Sequence, residues 1–173
     1  MVTQQHFHSL SGLLYAEKAM KREQGGVMDI WQQILDFEPF LRLLGINAEL
    51  LGPDDVVLRL PARQEIANHL GGLHGGAQFT LGESTALAAA VFSLGKQLDQ
   101  VVVLTRGATI SYQKTALGEL AAHGRVMHEE RESLQNTWDT TKRARLNVPV
   151  EISDSTGQLV TVLSVECLVL PRS

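Results

Sequence analysis

The sequence predicts an α+β fold in which a curved antiparallel β-sheet wraps around one long central helix. Residues 75–94 form a helix-like run with five alanines and a single charged side chain, Glu83, so this helix is apolar on nearly all sides and is expected to be buried. Four strand-like segments follow with short connections, which favours antiparallel neighbours whose apolar face needs a cover. The long helix is the candidate for that cover.

The domain boundary is predicted near a glycine pair, Gly25 and Gly26, that is typical of a hinge. Residues 1–26 are predicted to form an N-terminal arm, and residues 27–173 a single domain. A chain of 173 residues is long enough for one full hydrophobic core and short for two. The domain is predicted to begin with an amphipathic helix, or two short ones, over residues 27–45. Pro39 interrupts this helix pattern and Gly45 ends it.

The rest of the domain is predicted to consist of strands on either side of the long helix. Residues 47–51 and 56–61 flank a Gly-Pro-Asp-Asp turn and indicate a hairpin. After the helix, the strand-like segments are residues 101–114, 118–128, 143–153 and 159–170.

The third of these segments has the clearest pattern. Apolar residues alternate with polar ones from Ala144 to Ile152, which is typical of a sheet with one covered face. Pro149 has no N–H to donate, so it predicts a free edge or a bulge at that point. The polar segment 129–142, which contains Trp138, is interpreted as a long hairpin loop or a flap.

Composition excludes several classes of protein. The net charge is −4 and the basic residues are scattered, which argues against a nucleic-acid partner. No apolar run approaches the roughly 20 residues that span a bilayer, and the first residues lack the pattern of a secretory signal. A single cysteine, Cys167, favours a reducing, cytoplasmic setting and is expected to pack in the last strand.

The chemistry that the sequence suggests is concentrated where the long helix begins. Gly75 and Gly76 open the helix and leave N–H groups at the positive end of its dipole, an arrangement that accepts an anion. Glu83 lies two turns further on, about 10 Å along the helix axis from Gly76. A buried carboxylate needs a partner or a purpose, because burying it unpaired costs several kcal/mol or forces it to protonate.

The stretch from Asn68 to Glu83 resembles the active-site signature of hotdog-fold acyl-CoA thioesterases of the phenylacetic-acid-degradation type and their uncharacterised relatives. In that signature an Asn, and a Gly three residues later, precede His-Gly-Gly, and an acid follows in a Phe-x-Leu-x-acid pattern. The resemblance covers about residues 45–170. The matching residues are Asn68, Gly71, His74, Gly75, Gly76, Phe79, Leu81 and Glu83.

The resemblance implies a hotdog fold and hydrolysis of an acyl-CoA thioester to a free acid and coenzyme A. It implies a homodimer, paired further into a dimer of dimers, with each site assembled across the interface. The Gly75 or Gly76 amide would then stabilise the oxyanion, and Glu83 of a second protomer would act as general base or as nucleophile. No metal is expected, and no cofactor other than the coenzyme A of the substrate.

Each of these roles has a structural alternative. Glu83 could be a core carboxylate satisfied by Asn68 or by a backbone group. His74 either fixes the loop by bonding to backbone or polarises the thioester carbonyl, and Asn68 either shapes the loop or positions water. Some members carry a hydroxyl a turn or two beyond the acid, whereas here only Ser84 and Thr85 are near, so the helper for the attacking water is unassigned.

Other residues are predicted at the edge of the substrate site. Gly71, Gly76 and Phe79 are expected to contact substrate. Four basic residues are candidates for contacting the phosphates of coenzyme A, and the alternative for each is a solvated position on a strand. These residues are Arg106, Lys114, Arg125 and Arg143. The histidines at positions 6, 8, 69, 123 and 128 lack metal-ligand spacing.

Two other functions are compatible with the same fold. A hotdog dehydratase would act on hydroxyacyl thioesters, and a non-catalytic hotdog module would bind acyl groups or serve in assembly, because function depends on the site and not on the fold. The position of Glu83 after His-Gly-Gly favours hydrolysis. The sequence does not predict which acyl group the substrate carries.

Overall fold

The computed structural model describes residues 29–95 and 100–172. The predicted arm, residues 1–26, and the boundary that follows it lie outside the described residues. Helices in the described chain are α1, described over 29–37, α2 (Pro39–Leu44), α3 (Gly75–Ser93) and α4 (His128–Thr141), with a 3-10 turn at Gln64–Ile66. Strands are β1 (Asn47–Leu51), β2 (Asp55–Leu60), β3 (Val101–Tyr112), β4 (Leu120–Arg125), β5 (Ala144–Asp154) and β6 (Leu159–Pro171).

The six strands form one antiparallel sheet in the order β1-β2-β4-β5-β6-β3. Helix α3 packs against all six of them. Six strands laid flat would span about 24 Å, whereas a helix is only about 10–12 Å across, so the sheet has to curve around α3 to keep these contacts. This arrangement confirms the predicted α+β fold with a curved sheet around a central helix.

Close packing fixes α3 on the sheet. A Cβ added to Gly82 would lie 2.7 Å from the Leu163 side chain of β6, and one added to Gly124 of β4 would lie 3.0 Å from Thr85. The two glycines therefore let helix and sheet approach more closely than any other residue would allow. None of the described helices has both the length and the apolar character needed to cross a membrane.

Strand β5 has the alternation that the sequence predicts. Ala144, Val148, Val150 and Ile152 are buried on the face toward α3. The ladder with β4 ends at Val150, so Pro149 lies where β5 is paired only with β6. This part of β5 has a free edge, which is one of the two features that Pro149 predicts.

The N-terminal helical region consists of two short helices. Pro39 stands in the first turn of α2 and Gly45, in the left-handed conformation, ends it. Trp31 is only 2% exposed, and its indole N–H donates to the carbonyl of Ile46 at 3.2 Å. Phe37 is 66% exposed, and its ring lies 5.4 Å from the Arg172 guanidinium.

The interpretation of residues 129–142 as a loop or flap is wrong, because this segment forms α4. Leu134 and Trp138, one turn apart, are its two buried residues, and the helix packs on β5. The Glu130 carboxylate accepts a hydrogen bond from the Met127 N–H at 3.2 Å, which caps the first turn. Two apolar positions are enough to hold a helix on a sheet, although they are too few to give a clear periodicity.

Candidate active site

The loop before α3 is shaped by Asn68. Its side-chain carbonyl accepts hydrogen bonds from the N–H groups of Leu70, at 2.9 Å, and Gly72, at 3.1 Å. Gly71 between them has φ +79°, a conformation that favours glycine. Asn68 therefore has the loop-shaping geometry that the sequence offered as one alternative, and Gly71 serves the turn.

His74 caps the first turn of α3. Its Nδ1 accepts a hydrogen bond from the Gly76 N–H at 2.9 Å. A ring that accepts at Nδ1 carries its proton on Nε2 when it is neutral. The His74 ring thus fixes the helix start, and the Gly76 amide is already occupied.

Gly75 presents the first amide of α3. A first-turn N–H has no partner inside its own helix, and the Gly75 N–H donates to no other atom within the described residues. The Gly75 carbonyl accepts a hydrogen bond from the Tyr112 hydroxyl at 3.0 Å, and the Tyr112 ring lies 3.1 Å from where a Cβ of residue 75 would be. Sequence reasoning did not identify Tyr112, because its contact with Gly75 joins positions 37 residues apart.

Glu83 is half-buried and lines a cavity of about 420 Å³. Within residues 29–95 and 100–172, its carboxylate has no hydrogen-bond or ion-pair partner, and this includes Asn68. The cavity lies between α3, the N-terminal helices and the first half of β3. Its α3 wall is one stripe of the helix: Thr80, Glu83, Ser84, Leu87, Ala88 and Val91.

Glu83 and the helix start are far apart within one protomer. Eight residues separate Gly75 from Glu83 along α3, which corresponds to about 12 Å along the helix axis. His74 and Asn68 lie beyond Gly75, on the far side from Glu83. A single protomer therefore does not bring Glu83 and the Gly75 amide to one reacting carbonyl.

Cys167 and Thr105 lie near Glu83. Burial raises the pKa of the Cys167 thiol to about 12, and the Glu83 and Glu166 charges add to this. Cys167 on β6 pairs with Thr105 on β3, and Thr105 lines the same cavity as Glu83. The Thr105 hydroxyl oxygen is buried and has no hydrogen-bond partner in the described part of the chain. Sequence reasoning missed this residue, because only the pairing of β3 with β6 brings it to the helix.

The two hydroxyls next to Glu83 in sequence have different positions. Ser84 lines the cavity. Thr85 is fully buried, and its hydroxyl donates to the Leu81 carbonyl at 2.7 Å. Of these two, only Ser84 faces a ligand in the cavity.

The remaining predicted residues lie around this region. Phe79 is half-buried against the core, and Gly76 is exposed. Arg106 and Lys114 are exposed on and after β3, whereas Arg125 donates to Asp55 at 2.9 Å. Among the described residues, no three His, Cys, Asp or Glu side chains lie close enough together to hold a metal ion.

Solved structures share this curved sheet around a buried helix, the hotdog fold. A Pseudomonas aeruginosa protein described as of unknown function and a probable thioesterase is 23% identical, with 78% of this chain and 88% of that chain covered and a TM-score of 0.67. A mutant of the thioesterase enzyme SAV0944 from Staphylococcus aureus is 18% identical, with 76% and 98% covered and a TM-score of 0.62. AziG from S. sahachiroi is 26% identical, with 78% and 98% covered and a TM-score of 0.61.

Residues 30–169 match the family described as Domain of unknown function (DUF4442). The match spans most of the chain, so the protein belongs to this family. A comparison with curated proteins finds no match. The predicted hotdog fold is thus confirmed, and with it the resemblance to thioesterase-type relatives at the level of the fold.

Proposed function

We propose that this protein hydrolyses an acyl-CoA thioester to a free acid and coenzyme A. The observation that carries the proposal is Glu83, a half-buried carboxylate that lines an apolar cavity and has no partner within the described residues. A carboxylate that faces a cavity and is not paired with another described side chain is available to act on a ligand bound there.

The proposed reaction uses Glu83 and the helix start together. As general base, Glu83 takes a proton from water, the hydroxide adds to the thioester carbonyl carbon, and the C–S bond then breaks as the coenzyme A thiolate leaves and is protonated. As nucleophile, Glu83 adds to the same carbon, and water hydrolyses the resulting anhydride. The oxyanion is stabilised in both cases by the Gly75 amide, since His74 already occupies the Gly76 amide.

The proposed site needs two protomers. The roughly 12 Å between Gly75 and Glu83 along α3 is too long for one carbonyl group, so Glu83 of one protomer acts with Gly75 of another. Strand β3 is an edge of the sheet, paired only with β6 among the described strands, and offers twelve residues for an interface. We expect a homodimer, assembled further into a dimer of dimers.

The coenzyme A portion is proposed to lie outside the cavity. Arg106 and Lys114 are exposed and are the cations that we expect to contact its phosphates. We expect the protein to act in the cytoplasm, where its single cysteine stays a thiol.

The first experiment measures thiol release from a panel of acyl-CoAs. Glu83→Gln removes the charge but keeps the shape, and should lower kcat at least about 100-fold. Glu166→Gln is the matched control, because Glu166 also lies beside Cys167 but does not line the cavity. An unchanged rate in Glu83→Gln would refute the role of Glu83. Hydration of an enoyl-CoA without thiol release would instead indicate a dehydratase.

A second experiment tests the shared site. Gly75→Pro removes the amide N–H at a first-turn position where proline is tolerated, whereas Gly75→Ala adds a similar Cβ near Tyr112 and keeps the N–H. Proline should therefore cost about 100-fold more in kcat than alanine. Hybrids of Gly75→Pro and Glu83→Gln protomers should regain activity, because one of their two sites is intact. Hybrids that stay inactive would show that the site lies within one protomer.

A further inference from the structure

The cavity beside Glu83 continues well past the carboxylate and changes character along its length. Thr80, Glu83 and Ser84 line one end of the α3 stripe. Leu87, Ala88 and Val91 line the other end, toward the C-terminus of the helix. A ligand that fits this stripe has a polar group at one end only.

The β3 wall repeats this polarity, whereas the outer wall is mixed. On β3, Val101, Val102, Val103 and Leu104 precede Thr105, whose buried hydroxyl has no partner in the described chain. The outer wall is formed by α1 and α2 through Trp31, Ile34 and Leu41, and two exposed charged residues, Glu38 and Arg172, also line the cavity. The Trp31 side chain is held in this wall by its hydrogen bond to the Ile46 carbonyl.

Two measures bear on the size of the ligand, the length of the apolar stripe and the volume of the whole cavity. Val91 lies eight residues beyond Glu83, which is about 12 Å along the helix. An extended chain advances about 1.2 Å per bond, so this length matches about ten bonds. The volume of about 420 Å³ holds on the order of 14 non-hydrogen atoms at roughly 30 Å³ each. Length and volume therefore agree on a thioester group with a tail of about ten carbons.

We infer that the cavity binds an unbranched aliphatic acyl group of about ten carbons, with its thioester at Glu83 and Thr105 and its tail at Val91 and Val101. This inference rests on the proposed function, since the polar end is the reacting group. The tail lies in the protomer that supplies Glu83, and the carbonyl oxygen faces Gly75 of a second protomer. A short or polar acyl group would leave the apolar end of the cavity unfilled.

Binding tests the inference separately from hydrolysis. The Glu83→Gln protein is titrated calorimetrically with saturated acyl-CoAs of four to sixteen carbons, and with phenylacetyl-CoA. Each added methylene should strengthen binding about threefold to fourfold until about ten carbons, and longer chains should gain nothing. A Kd that does not depend on chain length, or tighter binding of phenylacetyl-CoA than of decanoyl-CoA, would overturn the inference.

A variant at the Val91 end of the cavity tests the direction of the tail. Val91→Phe fills about 50 Å³ of the cavity, or about two carbon positions, and should move the optimum to about eight carbons. Val57→Phe is the matched control, since Val57 lies on β2 and does not line the cavity. An optimum that stays near ten carbons in Val91→Phe would refute the placement of the tail.

Hydrolysis of the same acyl-CoAs by the wild-type chain separates the two proposals. Binding that depends on chain length without thiol release would refute the proposed thioesterase activity but support the proposed acyl-binding site. Thiol release with equal kcat/KM for acyl-CoAs of four and sixteen carbons would support the proposed thioesterase activity but refute the proposed acyl-binding site.

Discussion

Three threonines of the sheet differ only in the surroundings of their hydroxyl groups. The Thr105 hydroxyl is buried without a partner within the described residues. The Thr161 hydroxyl is buried and donates to the side-chain oxygen of Gln78 at 2.6 Å, while the Gln78 amide donates to the Leu73 carbonyl at 2.8 Å. Thr109 is exposed on β3. Valine has nearly the shape of threonine, so one substitution tests all three positions.

The expected changes in the free energy of unfolding have opposite signs. A buried hydroxyl without a partner costs about 1–3 kcal/mol, so Thr105→Val should stabilise the fold by about 1 kcal/mol. Thr161→Val loses a hydrogen bond and leaves the Gln78 oxygen buried and unpaired, which should cost about 2 kcal/mol. Thr109→Val should change stability by less than about 0.5 kcal/mol.

Urea unfolding measures these differences. With a slope of about 2 kcal/mol per molar, Thr161→Val should lower the midpoint by about 1 M and Thr105→Val should raise it by about 0.5 M. If the Thr105 hydroxyl contacts the substrate, kcat/KM of the same variant falls about tenfold while its stability rises. Destabilisation of Thr105→Val by more than about 1 kcal/mol would refute the reasoning, because it would show that the hydroxyl already has a partner.

Two further predictions concern titratable groups. Burial raises the pKa of the Cys167 thiol to about 12. At pH 8 this thiol should therefore react with iodoacetamide only after urea has unfolded the chain. Rapid labelling of the folded protein would contradict this prediction. Hydrogen bonds from Arg125 and His123 lower the pKa of Asp55, so Asp55→Asn should cost about 0.5 kcal/mol above about pH 5. The difference from wild type should shrink as pH falls through the lowered carboxyl pKa, and a difference that grows in acid would refute the assignment.

Much of the fold could be predicted because its signals are local. Alternation along β5 shows which face is buried, and Pro39 and Gly45 mark the start and end of α2. The stretch from Asn68 to Glu83 could be identified for the same reason, since the candidate residues are contiguous on one loop and one helix.

The rest depends on contacts between distant parts of the chain. Thr105 and Tyr112 lie near the candidate site only because β3 runs back along α3. No local sequence pattern predicts this position of β3. Helix α4 has no clear helical periodicity in the sequence, because only Leu134 and Trp138 are buried in it. The hydrogen bond from Trp31 to the Ile46 carbonyl, in the outer wall of the cavity, joins residues 15 positions apart and has no local signal in the sequence.

The contact of α3 with the sheet at Gly82 and Gly124 restricts how this architecture can diversify. Helix α3 is closely packed on the sheet at these two glycines, so it cannot shift to make room for a larger ligand beside Glu83. Any enlargement falls on residues 29–44, which form the outer wall. Relatives with the same sheet and the same carboxylate can therefore differ in the molecules they accept by changes in these two helices alone.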